Sequence, residues 1–169
     1  MATVGVILSG CGVYDGSEIH EAVITLLALD RAGADVLIMA PDVELAVVHH
    51  LTGEPVEGSV RKVLEESARL ARGNISDIAK VNGNDIDALF IPGGFGAAKN
   101  LCDFAFKGPD CDVHPDVARL IREIVTAGKP LAAVCIAPAL VAKVLGDDKL
   151  AHELTIGTDQ GTAEAVTAM

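Results

Sequence analysis

Tryptophan is absent, tyrosine occurs once and aromatics make up only 3% of the chain, although half of its 169 residues are hydrophobic. A core with so few large rings has to be built mainly from Ala, Val, Leu and Ile, which suits a parallel sheet covered by Ala-rich helices. Basic residues are also short: 13 Lys and Arg stand against 24 Asp and Glu, for a formal net charge of −11. Nucleic-acid binding needs a basic face to neutralise phosphates, so that class of partner is not expected. The four cysteines, Cys11, Cys102, Cys111 and Cys135, form no C-x-x-C pair, which removes zinc ribbons and thioredoxin-type motifs. A chain of this size can build a core without disulfide staples. No window reaches the ~20 apolar residues of a membrane span. The first apolar stretch, residues 3–9, is too short and too uncharged at its start for a secretory leader. One domain of a cytoplasmic protein is expected.

What is present has the rhythm of alternating strands and helices. Residues 4–8 read as a buried strand stopped by Ser9-Gly10-Cys11-Gly12. Asp15-Gly16-Ser17-Glu18 supplies turn and N-cap chemistry, and Ile19, Val23, Leu26 and Leu27 then follow helical spacing towards Gly33. A second buried strand spans 35–40, completing a β-α-β unit and implying a parallel sheet with right-handed crossovers. Residues 45–58 depart from that rhythm and read as a small β excursion around Gly53-Glu54-Pro55; residues 60–72 read as a helix with Val63, Leu64 and Leu70 inward. Residues 86–92 form a third strand running into Gly93-Gly94-Phe95-Gly96. A polar insert (102–114), a helix (115–127), a strand (131–134) and a helix (139–145) follow. Residues 154–158 are a fifth strand candidate, and a helix starts at 162. The predicted fold is α/β, a flavodoxin-like three-layer sandwich with a mainly parallel central sheet.

Binding sites in open parallel sheets lie beyond the carboxyl ends of the strands, which brings residues 9–12, 93–96 and 135–136 together. Within Pro130-Leu-Ala-Ala-Val-Cys135-Ile-Ala-Pro138 an apolar run ends at a cysteine with small flanks, Ala133-x-Cys135-x-Ala137. This parallels the serine elbow G-x-S-x-G, whose small flanks let a strand fold back sharply into a helix. Cys135 would precede a helix N-terminus, where the dipole favours the nucleophilic thiolate; a buried core cysteine fits the same stretch. Backbone N–H groups of the Gly93-Gly94 turn and of Ile136 are candidate oxyanion donors. The glycine turn lacks the spacing of a phosphate cradle. Glu18 and Glu21, three apart, offer a carboxyl to shuttle a proton beside the cysteine, although acids also favour first helical turns. Cys11 either borders the cleft or packs, and Cys102 and Cys111 are incidental to the insert. His20, His49, His50, His114 and His152 have no spacing that ties them to Cys135; only His114, beside the insert, is placed to overhang the cleft. No metal-ligand arrangement is present.

Together these features are recognisable. The strand ending in Pro92-Gly93-Gly94 and the one ending in Val134-Cys135-Ile136-Ala137-Pro138 resemble the ThiJ/PfpI superfamily, within the class I glutamine-amidotransferase-like fold. The runs from Ile7 to Glu21 and from Ile91 to Leu101 are similar to its ElbB-type branch, described as glyoxalase, isoprenoid-biosynthesis or sigma cross-reacting proteins. The resemblance covers essentially the whole chain. It implies Cys135 as nucleophile, Glu21 as the carboxyl at its sulfur with Glu18 beside it, and Gly94 and Ile136 as backbone donors. It further implies glutathione-independent conversion of glyoxal or methylglyoxal to the hydroxy acid, with neither metal nor organic cofactor, and a homodimer. A non-catalytic redox protein with Cys135 as oxidisable sensor is the rival reading. Many superfamily members carry a histidine after the strand that follows the elbow, and residues 155–159 have none, which weakens a glutaminase reading. Relatives also continue beyond the equivalent of Met169 with further strands and a closing helix.

Overall fold

The strand–helix rhythm is realised in a computed structural model that describes residues 1–150 and 153–169. His152 lies outside the described residues. In chain order the elements are β1 (Thr3–Ile7), α1 (Ile19–Arg31), β2 (Asp35–Ala40), β3 (Glu44–His49), β4 (Glu54–Lys62), α2 (Val63–Ala71), β5 (Ser76–Asp77), β6 (Ala88–Ile91), α3 (Phe95–Lys99), α4 (Phe104–Lys107), α5 (Pro115–Thr126), β7 (Leu131–Ala133), α6 (Ala137–Asp147) and α7 (Gln160–Thr167). Five strands form one all-parallel sheet in the order β5-β2-β1-β6-β7. β3 and β4 pair separately as an antiparallel hairpin.

Side chains alternate across the sheet, as the two-residue period of a strand requires. On one face Ile7, Leu37, Met39, Leu89 and Ile91 pack against Leu120, Ile121 and Ile124 of α5 and Leu140 and Val144 of α6. On the other, Val6, Leu8, Val36, Ile38 and Phe90 meet Ala22, Leu26 and Leu29 of α1 and Leu70 of α2. The result is the expected three layers. With few large rings, the fit comes mainly from many branched aliphatics; truncating one such as Ile121 to Ala costs about 2–5 kcal/mol.

Three local expectations change. The helix expected over 60–72 begins only at Val63, because β4 runs on to Lys62 and Val60 pairs with Ala46 in the hairpin. Residues 154–158 form no strand. Leu154 and Ile156 instead pack on Ala139, Ala142 and Val166 of α6 and α7, so this apolar run is used against helices rather than in a ladder. The fifth strand is at the opposite edge, Ser76–Asp77 beside Met39 and Ala40, and is too short to show a period in sequence. Helix α1 also turns part of its apolar surface outward: Ile19, Val23 and Leu27 are 41%, 47% and 45% exposed.

The strand order places the site. From the central β1 the chain moves to β2 on one side, and later to β6 and β7 on the other. The loops leaving β1, β6 and β7 therefore meet at the carboxyl ends of the sheet, where open parallel sheets place their sites.

Candidate active site

Cys135 follows the end of β7 and adopts φ 58, one of three non-glycine residues with positive φ among the described residues. Left-handed backbone at a residue with a Cβ costs roughly 1–3 kcal/mol, and such strain gathers at functional sites. The turn is locked on both sides. The Val134 N–H donates to the Ile91 carbonyl at 3.2 Å, and the Ala137 N–H donates to the Val134 carbonyl at 3.0 Å. Pro138 occupies the first turn of α6, where its missing N–H is not needed. This geometry holds Cys135 exposed, whereas Cys102 and Cys111 are buried and Cys11 is half-buried.

The glycine turn after β6 meets Cys135 directly. A Cβ placed on Gly93 would stand 3.0 Å from the Cys135 Sγ and 2.8 Å from Oε2 of Glu21. Only glycine leaves room for sulfur and carboxyl to share that space. Gly93 is also tied to the start of α1 by hydrogen bonds: its N–H donates to Glu21 Oε2 at 2.8 Å, while its carbonyl accepts from the Glu18 N–H at 3.0 Å. Gly94 has φ 93, and a Cβ there would run into the Gly16 carbonyl and the Glu18 nitrogen. The loop after β1, the turn after β6 and the elbow after β7 are thus packed against one another.

Glu18 and Glu21 have different tasks. Glu18 is the N-cap of α1, outside the helix proper, and its Oε2 accepts the Glu21 N–H at 2.8 Å. Its Oε1 accepts from His20 Nδ1, also at 2.8 Å. The His20 hydrogen bond and then the Glu21 N–H hold the Glu18 carboxyl below the usual range, and Glu18 in turn raises the His20 imidazole. Glu21, freed from capping, extends to Gly93. The His20 contact was not legible from helical spacing, because it depends on Glu18 lying before the helix.

Gly94 and Ile136 are the N-cap residues of α3 and α6. Among the described residues neither N–H is used in a hydrogen bond of the fold. A cleft of about 500 Å³ opens over the elbow, walled by Ala133 to Ile136 with Pro138 on one side and by Thr155, Ile156, Gly157 and Thr162 on the other. The second wall was not anticipated; its only trace in the sequence is the polar-apolar alternation that suggested a strand.

Cys11 has other neighbours. Burial raises its thiol, as does the charge of Glu66, with Arg69 opposing and Asp15 adding to the rise. It does not line the cleft over Cys135. Glu66 is itself only 5% exposed. Burial works against its charge, but Arg69 and Arg61 together hold the carboxyl below its usual range. His114 caps α5, its Nδ1 accepting the Asp116 N–H at 3.3 Å. Among the described residues no cluster of three or more His, Cys, Asp or Glu is arranged to hold a metal, and no helix is long and apolar enough to cross a membrane.

Comparison with known proteins agrees with this fold. The model of the DJ-1/PfpI family matches residues 11–152. The human mitochondrial glutamine amidotransferase-like class 1 domain-containing protein 3 is 51% identical over 99% of this chain, and the rat mitochondrial ES1 protein homolog is 49% identical over the same share. The chain spans 65% of the length of each. A crystal structure of an isoprenoid biosynthesis protein with an amidotransferase-like domain, from Ehrlichia chaffeensis, superposes with a TM-score of 0.81 at 44% identity. The match covers 86% of this chain and 69% of that one. The cytoplasmic expectation is overturned by these relatives, since the human, rat and zebrafish proteins are all named as mitochondrial. The apolar stretch at residues 3–9 is mostly β1, part of the central sheet.

Proposed function

This chain belongs to the DJ-1/PfpI family, and on that footing we propose that it is a cofactor-independent glyoxalase acting on glyoxal or methylglyoxal through Cys135. The observation that carries the reading is the exposed Cys135, held left-handed at the elbow with the Glu21 carboxyl sharing its space at Gly93. The Cys135 sulfur attacks one aldehyde carbon, and the thiol proton passes to the new oxyanion, giving a hemithioacetal. The free N–H groups of Gly94 and Ile136 are the donors for the oxyanion. Glu21 then takes the proton from the hemithioacetal carbon and returns it to the neighbouring carbonyl carbon, while the hemithioacetal hydroxyl proton moves to that carbonyl's oxygen, leaving a thioester of the hydroxy acid. Water cleaves that thioester and restores the thiol. The sum is one dicarbonyl plus one water to one hydroxy acid.

The test is turnover of glyoxal by purified protein without glutathione. Cys135→Ser is expected to lower kcat/KM by at least about a thousandfold, as loss of a nucleophile does, whereas Cys11→Ser retains activity. Absence of turnover in the wild type sinks the proposal. The exposure of Cys135 favours the sensor reading in that event, and conversion of Cys135 to sulfinic acid by peroxide, read by mass, checks it. A homodimer remains part of the proposal, supported by the outward apolar stripe Ile19, Val23 and Leu27 and tested by light scattering.

A further inference from the structure

Two buried cysteines have no part in the chemistry proposed for the elbow. Cys102 and Cys111, 5% and 1% exposed and both free thiols, stand at the two ends of the polar insert. The insert is zipped at its base. The His114 N–H donates to the Leu101 carbonyl at 2.8 Å, and the Asp103 N–H donates to the Asp112 carbonyl at 3.1 Å. Cys102 itself faces Val113 in an antiparallel bridge. Side chains alternate along such a ladder, so Cys102 and Cys111 turn to the same side, diagonally across it. Their thiols are hydrogen-bonding neighbours. Asp103 and Asp112 turn to the opposite side, where the Lys107 Nζ lies 2.6 Å from one carboxylate and 2.8 Å from the other. Two sulfurs in contact, with the backbone fixed on both sides of them, are placed to close into a disulfide by side-chain rotation.

We propose that Cys102 and Cys111 form a reversible disulfide, a second oxidation site independent of the elbow, with a small disulfide of the glutathione class as its oxidant. This goes beyond the glyoxalase reading and does not depend on it. Both sulfurs are closed to solvent in the folded chain, so exchange begins when the insert opens locally. Cys111 attacks first, because the charge of Lys143 opposes the effect of burial on its thiol, whereas the Cys102 thiol donates to the Ala97 carbonyl at 3.3 Å. The Cys111 sulfur bonds to one sulfur of glutathione disulfide, whose own S–S bond breaks and releases one glutathione thiolate. The Cys102 thiolate then attacks the Cys111 sulfur and expels the second. Two protein thiols are oxidised, one glutathione disulfide is reduced to two thiols, and the two protein protons pass to them. The bridge ties down residues 103–110, among them Phe104, which packs on the same Ala139, Ala142 and Val166 cluster as Ile136 beside the nucleophile.

The test is equilibration of the full chain with glutathione disulfide at one fixed glutathione concentration, quenching in acid, and tryptic peptides read by mass. Residues 100–107 and 108–119 are expected as one linked species, two hydrogens lighter than the sum of the two. Half-linkage of the folded chain is expected at a disulfide concentration about tenfold or more below that needed by the same chain in urea, because the fold holds the sulfurs together. In Cys135→Ser, which leaves the elbow unmodified, the linked protein is expected to melt above the reduced one. A folded chain that stays unlinked at the highest disulfide concentration, or that links no more readily than in urea, overturns the proposal. A melting temperature lowered by the bridge overturns it as well, since the fold would then have to distort to close it.

Discussion

Cys11 and Cys135 each follow a strand of the same parallel sheet, β1 and β7, and each has a glutamate near it. They nevertheless differ in every property that governs thiol chemistry. Cys135 is exposed and held at φ 58 by hydrogen bonds on both sides. Cys11 is half-buried, and its thiol is raised by burial and by Glu66. The two acids differ too. Glu21 accepts the Gly93 backbone N–H beside the Cys135 side chain, whereas Glu66 is buried and committed to Arg61 and Arg69 at 3.2 and 2.9 Å. A place at the carboxyl edge of the sheet thus brings a residue to the site but does not make it reactive. What makes the difference is whether the turn holds the sulfur outward and whether its acid has a partner already.

The sharpest way to break this comparison is to neutralise each acid in turn. Glu21→Gln is expected to lower kcat for glyoxal by about 10²–10⁴-fold, the usual worth of a positioned proton carrier. Glu66→Gln is expected to leave turnover per folded molecule unchanged and to lower thermal stability instead, because Arg61 and Arg69 lose the charge they share. Equal losses of kcat in the two variants would mean that both acids serve the chemistry and that the distinction is false.

Gly93→Ala comes next. The added methyl enters the space between the Cys135 sulfur and Glu21 Oε2, and overpacking of this kind costs typically about 1–3 kcal/mol. Turnover and Tm are expected to fall together. Gly33→Ala, where a Cβ meets nothing within 4 Å but φ is 72, is expected to cost stability alone. A Gly93→Ala protein that keeps full turnover would show that the close approach of turn and elbow does not matter to the reaction.

How much of this was legible beforehand depended on the kind of signal. The sheet was legible because two-sided burial forces apolar runs at residues 4–8, 35–40 and 86–92, and because Gly, Pro and Asp cluster at their ends. The elbow was legible because Cys135 lies between small residues and ahead of Pro138. The second wall of the cleft was not. Thr155 and Ile156 alternate as a strand would, and nothing local says that Leu154 and Ile156 pack on α6 and α7 instead of pairing with β7. The surroundings of Cys11 were equally hidden, since Glu66 and Arg69 approach from a helix more than fifty residues away in the chain. Composition correctly implied an aliphatic core. It had no bearing on compartment, where the mitochondrial relatives overturn the expectation.

The smallest expected effect concerns the two cysteines that belong to neither side of the comparison. Cys102 is 5% exposed and donates to the Ala97 carbonyl at 3.3 Å. Burial, above all, pushes its thiol from 9.0 up to about 12, with nearby Cys111 and Asp103 adding to the rise. In the folded protein this thiol keeps its proton where an unfolded chain has already released it. Its contribution to stability is therefore complete below pH 9 and is lost as pH rises from 9 towards 12, by at most about 1.4 kcal/mol for each pH unit. Chemical denaturation from pH 8 to 11 reads this out. The wild type is expected to lose more stability over that interval than Cys102→Ala. Parallel slopes for wild type and Cys102→Ala would leave burial unable to explain why, of the four cysteines, only the one at the elbow is available to react.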